Sequence, residues 1–419
     1  MRRLSGSAFP SVKGHRKVLV AAAIDAFGVG AFYPLSFLYL LRQTDLSAGT
    51  VGLAVTAGTL LALPFGPVGG MLADRFGSRW PLAGGNVIVA AGYSLFLIAD
   101  TFPAVLLTAF LIMLADRLYW ASWPVYVARV AGRDRLDAWY ALVAMLKNGG
   151  IGLGALFASI ALVLDPQAGR LLLLINVITS LFAAALIGTH RTAPTERAPA
   201  APEDTTSGRP AATWRAVLRD RGFAGFCLAF TALSFGWMLP TVALPAYLVN
   251  AAGLPGWLPS AAFAINCVVV FAAQQYVTHA VRRLRRTRLL VAAAALFLLS
   301  VTLLVAAPGA AGAVTVALAL SSVLAVTAAE LISGPAAGAL VAASAPPHAI
   351  GRYNAVYQLT WTVSAAAGPG LIGLLIDAGG VALWTGFAVL LVIGAAGVLW
   401  SESRLSPEAT RAPLIQVSG

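Results

Sequence analysis

Charge is what this sequence has least of: only 11% of its 419 residues are Asp, Glu, Lys or Arg, against about a quarter in an ordinary soluble domain. Cysteine is nearly absent. Cys227 and Cys267 both lie in apolar runs, which excludes a disulfide framework and a thiolate metal site. The four histidines, His15, His190, His279 and His348, are scattered at or beyond the ends of apolar segments, so no histidine cluster offers itself as a metal site. A lipid-phosphate or prenyl transferase would need paired acids in a cytoplasmic loop for Mg²⁺ or a conspicuous histidine cluster, and the histidines form none. A membrane-embedded lipid-modifying enzyme is therefore the weaker alternative, and no metal or cofactor is expected.

What is present is apolar: 59% of the residues are hydrophobic and the mean hydropathy is +0.84. A helix crossing a bilayer needs about 20 mostly apolar residues. Twelve such segments can be read, approximately 18–41, 50–72, 80–99, 104–128, 138–163, 171–189, 222–249, 257–280, 289–307, 312–343, 353–376 and 381–400. The expected class is an all-α polytopic membrane protein. Residues 190–220 interrupt the pattern with Pro, Ala, Thr and charge, the composition of a linker. Pro335 predicts a kink in the tenth segment.

The excess of base over acid, +12 at pH 7, would in a soluble chain point to nucleic acid. Here it follows the connections. With the N-terminus inside, 24 of the 28 basic residues fall in cytoplasmic segments. Basic residues near span ends stay on the cytoplasmic side, so both termini are expected there and no nucleic-acid partner is expected. The chain also repeats itself. At an offset of 208, Phe27-Gly28 matches Phe235-Gly236 and Tyr39-Leu40 matches Tyr247-Leu248.

Between segments two and three stands Gly70-Met71-Leu72-Ala73-Asp74-Arg75-Phe76-Gly77-Ser78-Arg79-Trp80, the pattern G-x-x-x-D-R-x-G-x-R. Gly70 allows close helix approach and Gly77 a turn that other residues resist. With its twelve segments, central linker and this motif, the chain resembles the major facilitator superfamily of transporters. The resemblance implies twelve transmembrane helices in two pseudo-symmetric six-helix halves, 1–189 and 221–419, joined by a cytoplasmic linker, 190–220. It also implies a cytoplasmic gate built on Gly70, Asp74, Arg75, Gly77 and Arg79, in which Asp74 meets the start of segment eleven near Arg352. The sequence departs from the family at Trp80, where a second basic residue is usual.

Five ionisable residues lie inside apolar segments: Asp25, Asp116, Arg117, Lys147 and Glu330. Each costs roughly 2.5–3.5 kcal/mol to place at the bilayer centre, so each needs a purpose. At 1.5 Å per residue, Asp25, Lys147 and Arg117 lie about 12, 15 and 18 Å from the cytoplasmic ends and can share a layer. The resemblance places segments one, four, seven and ten around a central cavity, with five and eleven beside it, and all five residues fall on segments one, four, five and ten. It also sets Arg117 where proton-driven antiporters of the family carry an arginine, although their surrounding glycines are absent here. Two readings stay open. The charges exchange protons as the cavity changes sides, or they form a static network holding segments one, four and five together.

Aromatic residues on the same segments, Tyr33, Tyr119, Trp123, Trp237 and Tyr357, suit a bulky apolar ligand, with packing or interfacial anchoring as the plainer alternative. Glycines in segment five (Gly149, Gly150, Gly152, Gly154) and eleven (Gly368, Gly370) are symmetry-related. The family's exporters have Gly-Pro in segment five, whereas here the proline, Pro369, is in segment eleven. The resemblance implies secondary active transport by alternating access. The leading expectation is proton-coupled export of small hydrophobic or amphipathic compounds such as drugs or secondary metabolites, and an uptake symporter of a small organic solute is the competitor. The expected partners are substrate, protons and the lipid bilayer, and a monomer is expected. Abundant Ala, Gly and Arg with scarce Lys indicate a GC-rich bacterial genome and hence the plasma (inner) membrane.

Overall fold

The computed structural model describes residues 14–131, 136–190, 214–250, 254–281, 283–307, 310, 312–346 and 349–411. Regular structure among them is helical throughout. The first apolar segment is α1 (Arg16–Phe32), which passes through a 3₁₀ turn at Tyr33–Leu35 into α2 (Ser36–Gln43). Pro34 sits early in that turn, where its missing N–H costs little. The second segment is not continuous. It breaks at Leu63–Pro64 into α3 (Ala48–Ala62) and α4 (Phe65–Phe76), where Pro64 has no N–H to continue the helical ladder and disfavours helical geometry in the residue before it. The third is the 17-residue α5 (Arg79–Leu95). Segments four to six are α6 (Phe102–Ala131), α7 (Leu136–Leu164) and α8 (Gly169–Thr189).

The short helix α9 (Trp214–Arg219) leads into α10 (Arg221–Ser234), a 3₁₀ turn, a π turn at Leu239–Ala243 and α11 (Leu244–Asn250). The remaining spans are α12 (Leu258–Val281), α13 (Arg286–Ala306), α14 (Ala313–Ser344), α15 (Ile350–Asp377) and α16 (Gly380–Glu402), followed by α17 (Pro407–Thr410). Pro335 lies inside α14 without ending it. Among the described residues, ten helices are long and apolar enough to cross a membrane. The second and third predicted segments fall short of that count, one broken by Pro64 and the other by its length.

Packing divides the chain into two units. The first is built on α1, α2, α4 to α8, α3 from Leu53 on, and Gly256–Cys267. In it α1 packs on α7 and α8, and α5 on α6 and α8. The second is built on α9 to α11, the chain from Val268 on, and the segment Ser47–Gly52. There α10 packs on α15 and α16, and α13 on α14 and α16. The internal repeat is thus also a repeat of partners, with first on fifth and sixth and third on fourth and sixth.

Glycine makes the tightest of these contacts. A Cβ at Gly150 would lie 2.8 Å from the Ala23 carbonyl oxygen, and one at Gly154 would strike the backbone of Phe27. Gly150 and Gly154 of segment five are the surface on which α1 rests.

Candidate functional site

Four of the five intramembrane ionisable residues belong to the first unit, where α1 carries Asp25, α6 carries Asp116 and Arg117, and α7 carries Lys147. The Lys147 ammonium lies 4.1 Å from the centre of the Tyr119 ring and 5.0 Å from that of Trp120. Tyr119 stacks on Trp123 at 5.6 Å with 7° between planes, and Trp123 stacks on Tyr126 at 5.3 Å. The cation therefore caps an aromatic column running down α6. A cation–π contact removed from water contributes about 2 kcal/mol.

The acids are held differently. Asp25 accepts a hydrogen bond from the Ser180 hydroxyl of α8 at 3.2 Å, and Asp116 pairs with its neighbour Arg117 at 3.4 Å. Side chains of adjacent helical residues point about 100° apart, so this pair forms because the long guanidinium folds back. Both carboxyls also feel the charge of Lys147. The expected grouping of Asp25, Lys147 and Arg117 is thus partly redistributed: Lys147 acts on both acids, while Arg117 is held by Asp116. Asp116 and Arg117 keep 37% and 25% of their side-chain surface exposed, whereas Arg117 Nε, Tyr119 Oη, Ser122 Oγ and Trp123 Nε1 are buried with no hydrogen-bond partner among the described residues. A buried polar group left unpaired costs about 1–3 kcal/mol. One wall of α6 therefore has hydrogen-bonding capacity to spare.

Ser180 escaped sequence reading because the resemblance puts segment six neither around the central cavity nor beside it. Its signal was the polar patch Asn176, Thr179 and Ser180 in an apolar run. Tyr33 lies in the 3₁₀ turn, exposed, with Phe263 at 6.4 Å.

Glu330, Trp237 and Tyr357 belong to the second unit. Glu330 is buried on α14, and Gly334, one turn later, faces the Trp237 indole. Trp237 meets Trp361 edge-on at 5.0 Å, and Phe230 touches Tyr357 and Trp361 at 5.4 Å each. The predicted site residues thus form two groups, one in each unit.

In the gate motif, Gly77 ends α4 with φ +79°, as the turn requires. Gly70 and Asp74 lie in α4, and their side chains are outside the described residues. Arg75 covers the Phe76 ring at 5.3 Å, and Arg79 covers Trp80 at 4.8 Å. Arg79 also donates to the Gly188 carbonyl of α8. Trp80, the departure from the family pattern, thus serves as a face for Arg79. Two of the scattered histidines come together in space, His15 and His190 standing with ring centroids 5.8 Å apart.

A sequence profile of the family described as Major Facilitator Superfamily matches residues 18–332. Among curated proteins, the chain is 31% identical over 224 residues to an uncharacterized MFS-type transporter of Mycobacterium tuberculosis (strain ATCC 25618 / H37Rv), a match covering 51% of this chain and 50% of that protein. It is 26% identical over 246 residues to the multidrug resistance protein MdtH of Aeromonas hydrophila, covering 58% and 59%. The chain thus spans between half and three fifths of the length of these relatives. Among solved structures, a crystal structure of the nucleoside transporter NupG superposes with TM-score 0.77 at 13% identity, covering 93% of this chain and 99% of that one. A POT family transporter in complex with 5-aminolevulinic acid gives 0.72 at 16% identity, covering 96% and 99%. At these identities the likeness concerns the fold alone.

Proposed function

The chain belongs to the major facilitator superfamily, a family of membrane transporters and not of enzymes, and from that premise we propose that it is a proton-coupled exporter of small hydrophobic or amphipathic compounds. The observation that carries this reading is the cluster in the first unit. It holds two acids under the influence of one lysine, and that lysine is seated on an aromatic column. An acid whose charge depends on a nearby cation can load and release a proton as its surroundings change. The aromatic faces give a lipophilic ligand area to bury against, and the unpaired donors of α6 give it a few orienting contacts. Named resemblance to a multidrug resistance protein supports the same class.

In this reading Asp25 and Glu330 carry protons, and Tyr33, Tyr119, Trp123, Trp237 and Tyr357 line the substrate path. Asp116, Arg117 and Lys147 set the local charge. Gly70, Asp74, Arg75, Gly77 and Arg79 form the cytoplasmic gate motif, the chain is built as two halves, 1–189 and 221–419, and it works as a monomer in a bacterial inner membrane with both termini inside.

Everted membrane vesicles with an imposed pH gradient test it. Gradient-dependent accumulation of lipophilic cations or antibiotics is expected, collapsing with a protonophore. Uptake of sugars or organic acids by whole cells, with no gradient-dependent accumulation in vesicles, would establish a symporter instead.

A further inference from the structure

Pro335 sits in the interior of α14, just beyond Glu330. A proline inside a helix has no N–H to offer the carbonyl of the residue four before it, and its ring presses against that carbonyl. In α14 that residue is Leu331. Its carbonyl is nonetheless paired, because the Gln274 amide of α12 donates to it from Nε2 at 3.1 Å. The same nitrogen donates its other hydrogen to the Thr278 hydroxyl, one turn along α12, at 3.0 Å. Both amide hydrogens are thereby committed, and Thr278 orients the amide toward α14. All of these residues belong to the second unit.

A helix whose proline gap is closed by a side chain from a neighbouring helix is held in one bend by that side chain. Without the donor, the Leu331 carbonyl is left unpaired and α14 bends differently to meet a partner. The consequence falls on Glu330, which adjoins Leu331 and sits on the part of the helix that the bend turns. Gly334 lies at the bend itself, and its missing side chain leaves α14 room to move against the Trp237 indole, which stands 3.7 Å from where a Cβ would be. Beside it the Ser333 hydroxyl is buried with no hydrogen-bond partner among the described residues. A helical serine can donate to a carbonyl of the preceding turn. The hinge therefore holds an unused donor for a second bend.

We infer that Gln274 is a positioning residue for transport: its amide fixes the bend of α14 at Pro335, and with it the place of the Glu330 carboxyl. The inference rests on the reading of Glu330 as a proton carrier. Gln274 acts through the Leu331 backbone, so its role depends on Pro335 being a proline. Its neighbour Gln275 is exposed and points about 100° away around the helix, which makes it the matched control.

The test uses the full chain labelled with 5-fluorotryptophan in nanodiscs, where the fluorine NMR signal lost in Trp237→Phe reports the face of α14 at Gly334. Gln274→Leu is expected to shift that signal, and Gln275→Leu to leave it in place. Pro335→Ala restores the missing N–H, so adding Gln274→Leu to Pro335→Ala should cause no further shift. In everted vesicles, the maximal rate of gradient-driven ethidium accumulation should fall roughly tenfold in Gln274→Leu, with the apparent KM within about twofold of wild type. Should Gln274→Leu fail to fold, Thr278→Val loosens the same amide and is expected to shift the signal in the same direction. An unmoved Trp237 signal, an equal shift with and without Pro335, or a moved signal with unchanged ethidium transport would overturn the inference. Wild-type accumulation by Glu330→Gln would instead remove the proton-carrier reading, and the fluorine shift would still decide whether Gln274 sets the bend.

Discussion

The ammonium of Lys147 stands over the face of Tyr119, 4.1 Å from the ring centre, while the Tyr119 hydroxyl is buried without a partner among the described residues. The ring and the hydroxyl of one residue therefore make separable predictions. Tyr119→Phe keeps the ring and removes an unsatisfied group, so transport is expected near wild type with equal or slightly higher thermal stability. Tyr119→Leu removes the face. At about 2 kcal/mol, its loss corresponds to a fall of roughly thirtyfold in any step that relies on a positioned lysine. Vesicle transport rates for the two variants check this, and equal loss in both would assign the role to the hydroxyl.

Asp25 and Glu330 are expected to be the proton carriers. Asp25→Asn and Glu330→Gln keep shape and hydrogen-bonding capacity while removing titration. Each should abolish gradient-driven transport and leave the amount of membrane-inserted protein within about twofold of wild type. Undiminished transport by both variants would leave the charges a structural role only. Ser180→Ala, which removes the donor at 3.2 Å from Asp25, should move the pH at which transport is half-maximal without abolishing it.

Most of the architecture was legible in apolar periodicity, and the failures have identifiable causes. A hydropathy window averages over Pro64, so segment two read as one span although the backbone must break at Leu63–Pro64. The charged residues were legible because the bilayer makes each one costly. Their partners were not, because a partner depends on which helices touch: Ser180 lies 155 positions from Asp25, and the His15–His190 pair spans the whole first unit. The glycine run of segment five announced close packing, and only the fold shows that α1 is what it packs against.

That contact predicts a graded tolerance along three of the four glycines. A side chain at Gly154 would meet the Phe27 backbone and one at Gly150 the Ala23 carbonyl, whereas Gly149 has nothing within 4 Å. Backbone cannot yield as a side-chain tip can. Gly150→Leu and Gly154→Leu should each destabilise by about 1–3 kcal/mol or more, seen as lost monodisperse protein in detergent gel filtration. Gly149→Leu should behave as wild type.

The histidines at the start of α1 and the end of α8 predict a pH dependence of stability. Burial lowers both His15 and His190, with the nearby cations His15, Lys17 and Arg79 adding to the effect at His190. A histidine depressed in the folded state binds fewer protons there than in the unfolded chain, so stability rises with pH. The contribution is unchanged above the unfolded histidine value of about 6.5 and is lost as pH falls below it. The melting temperature of the detergent-solubilised chain should therefore drop as pH falls below about 6.5, and His15→Gln/His190→Gln should flatten that slope.

Asp377, at the end of α15, accepts hydrogen bonds from the Ser47 hydroxyl at 2.6 Å and from the Gly49 backbone N–H at 2.7 Å. It thereby places a carboxylate at the positive start of α3. Nothing in the sequence around Asp377 announces this role. The glycines around it make the approach possible: a Cβ at Gly49 would lie 2.6 Å from that carboxylate, and one at Gly52 would strike the Pro369 backbone. Since the Ser47 contact is exposed to solvent, the capture is worth about 1 kcal/mol, below the usual 1.5–3 for hydrogen bonds to a charge. Asp377→Asn keeps an acceptor and loses the charge, while Asp377→Ala loses both. Melting temperatures should fall in the order wild type, Asn, Ala, and added salt should narrow the gap between wild type and Asn because only the charge–dipole part is screened. If Asn were no more stable than Ala, the charge alone would hold α3. If Asn matched wild type, hydrogen bonding would hold it.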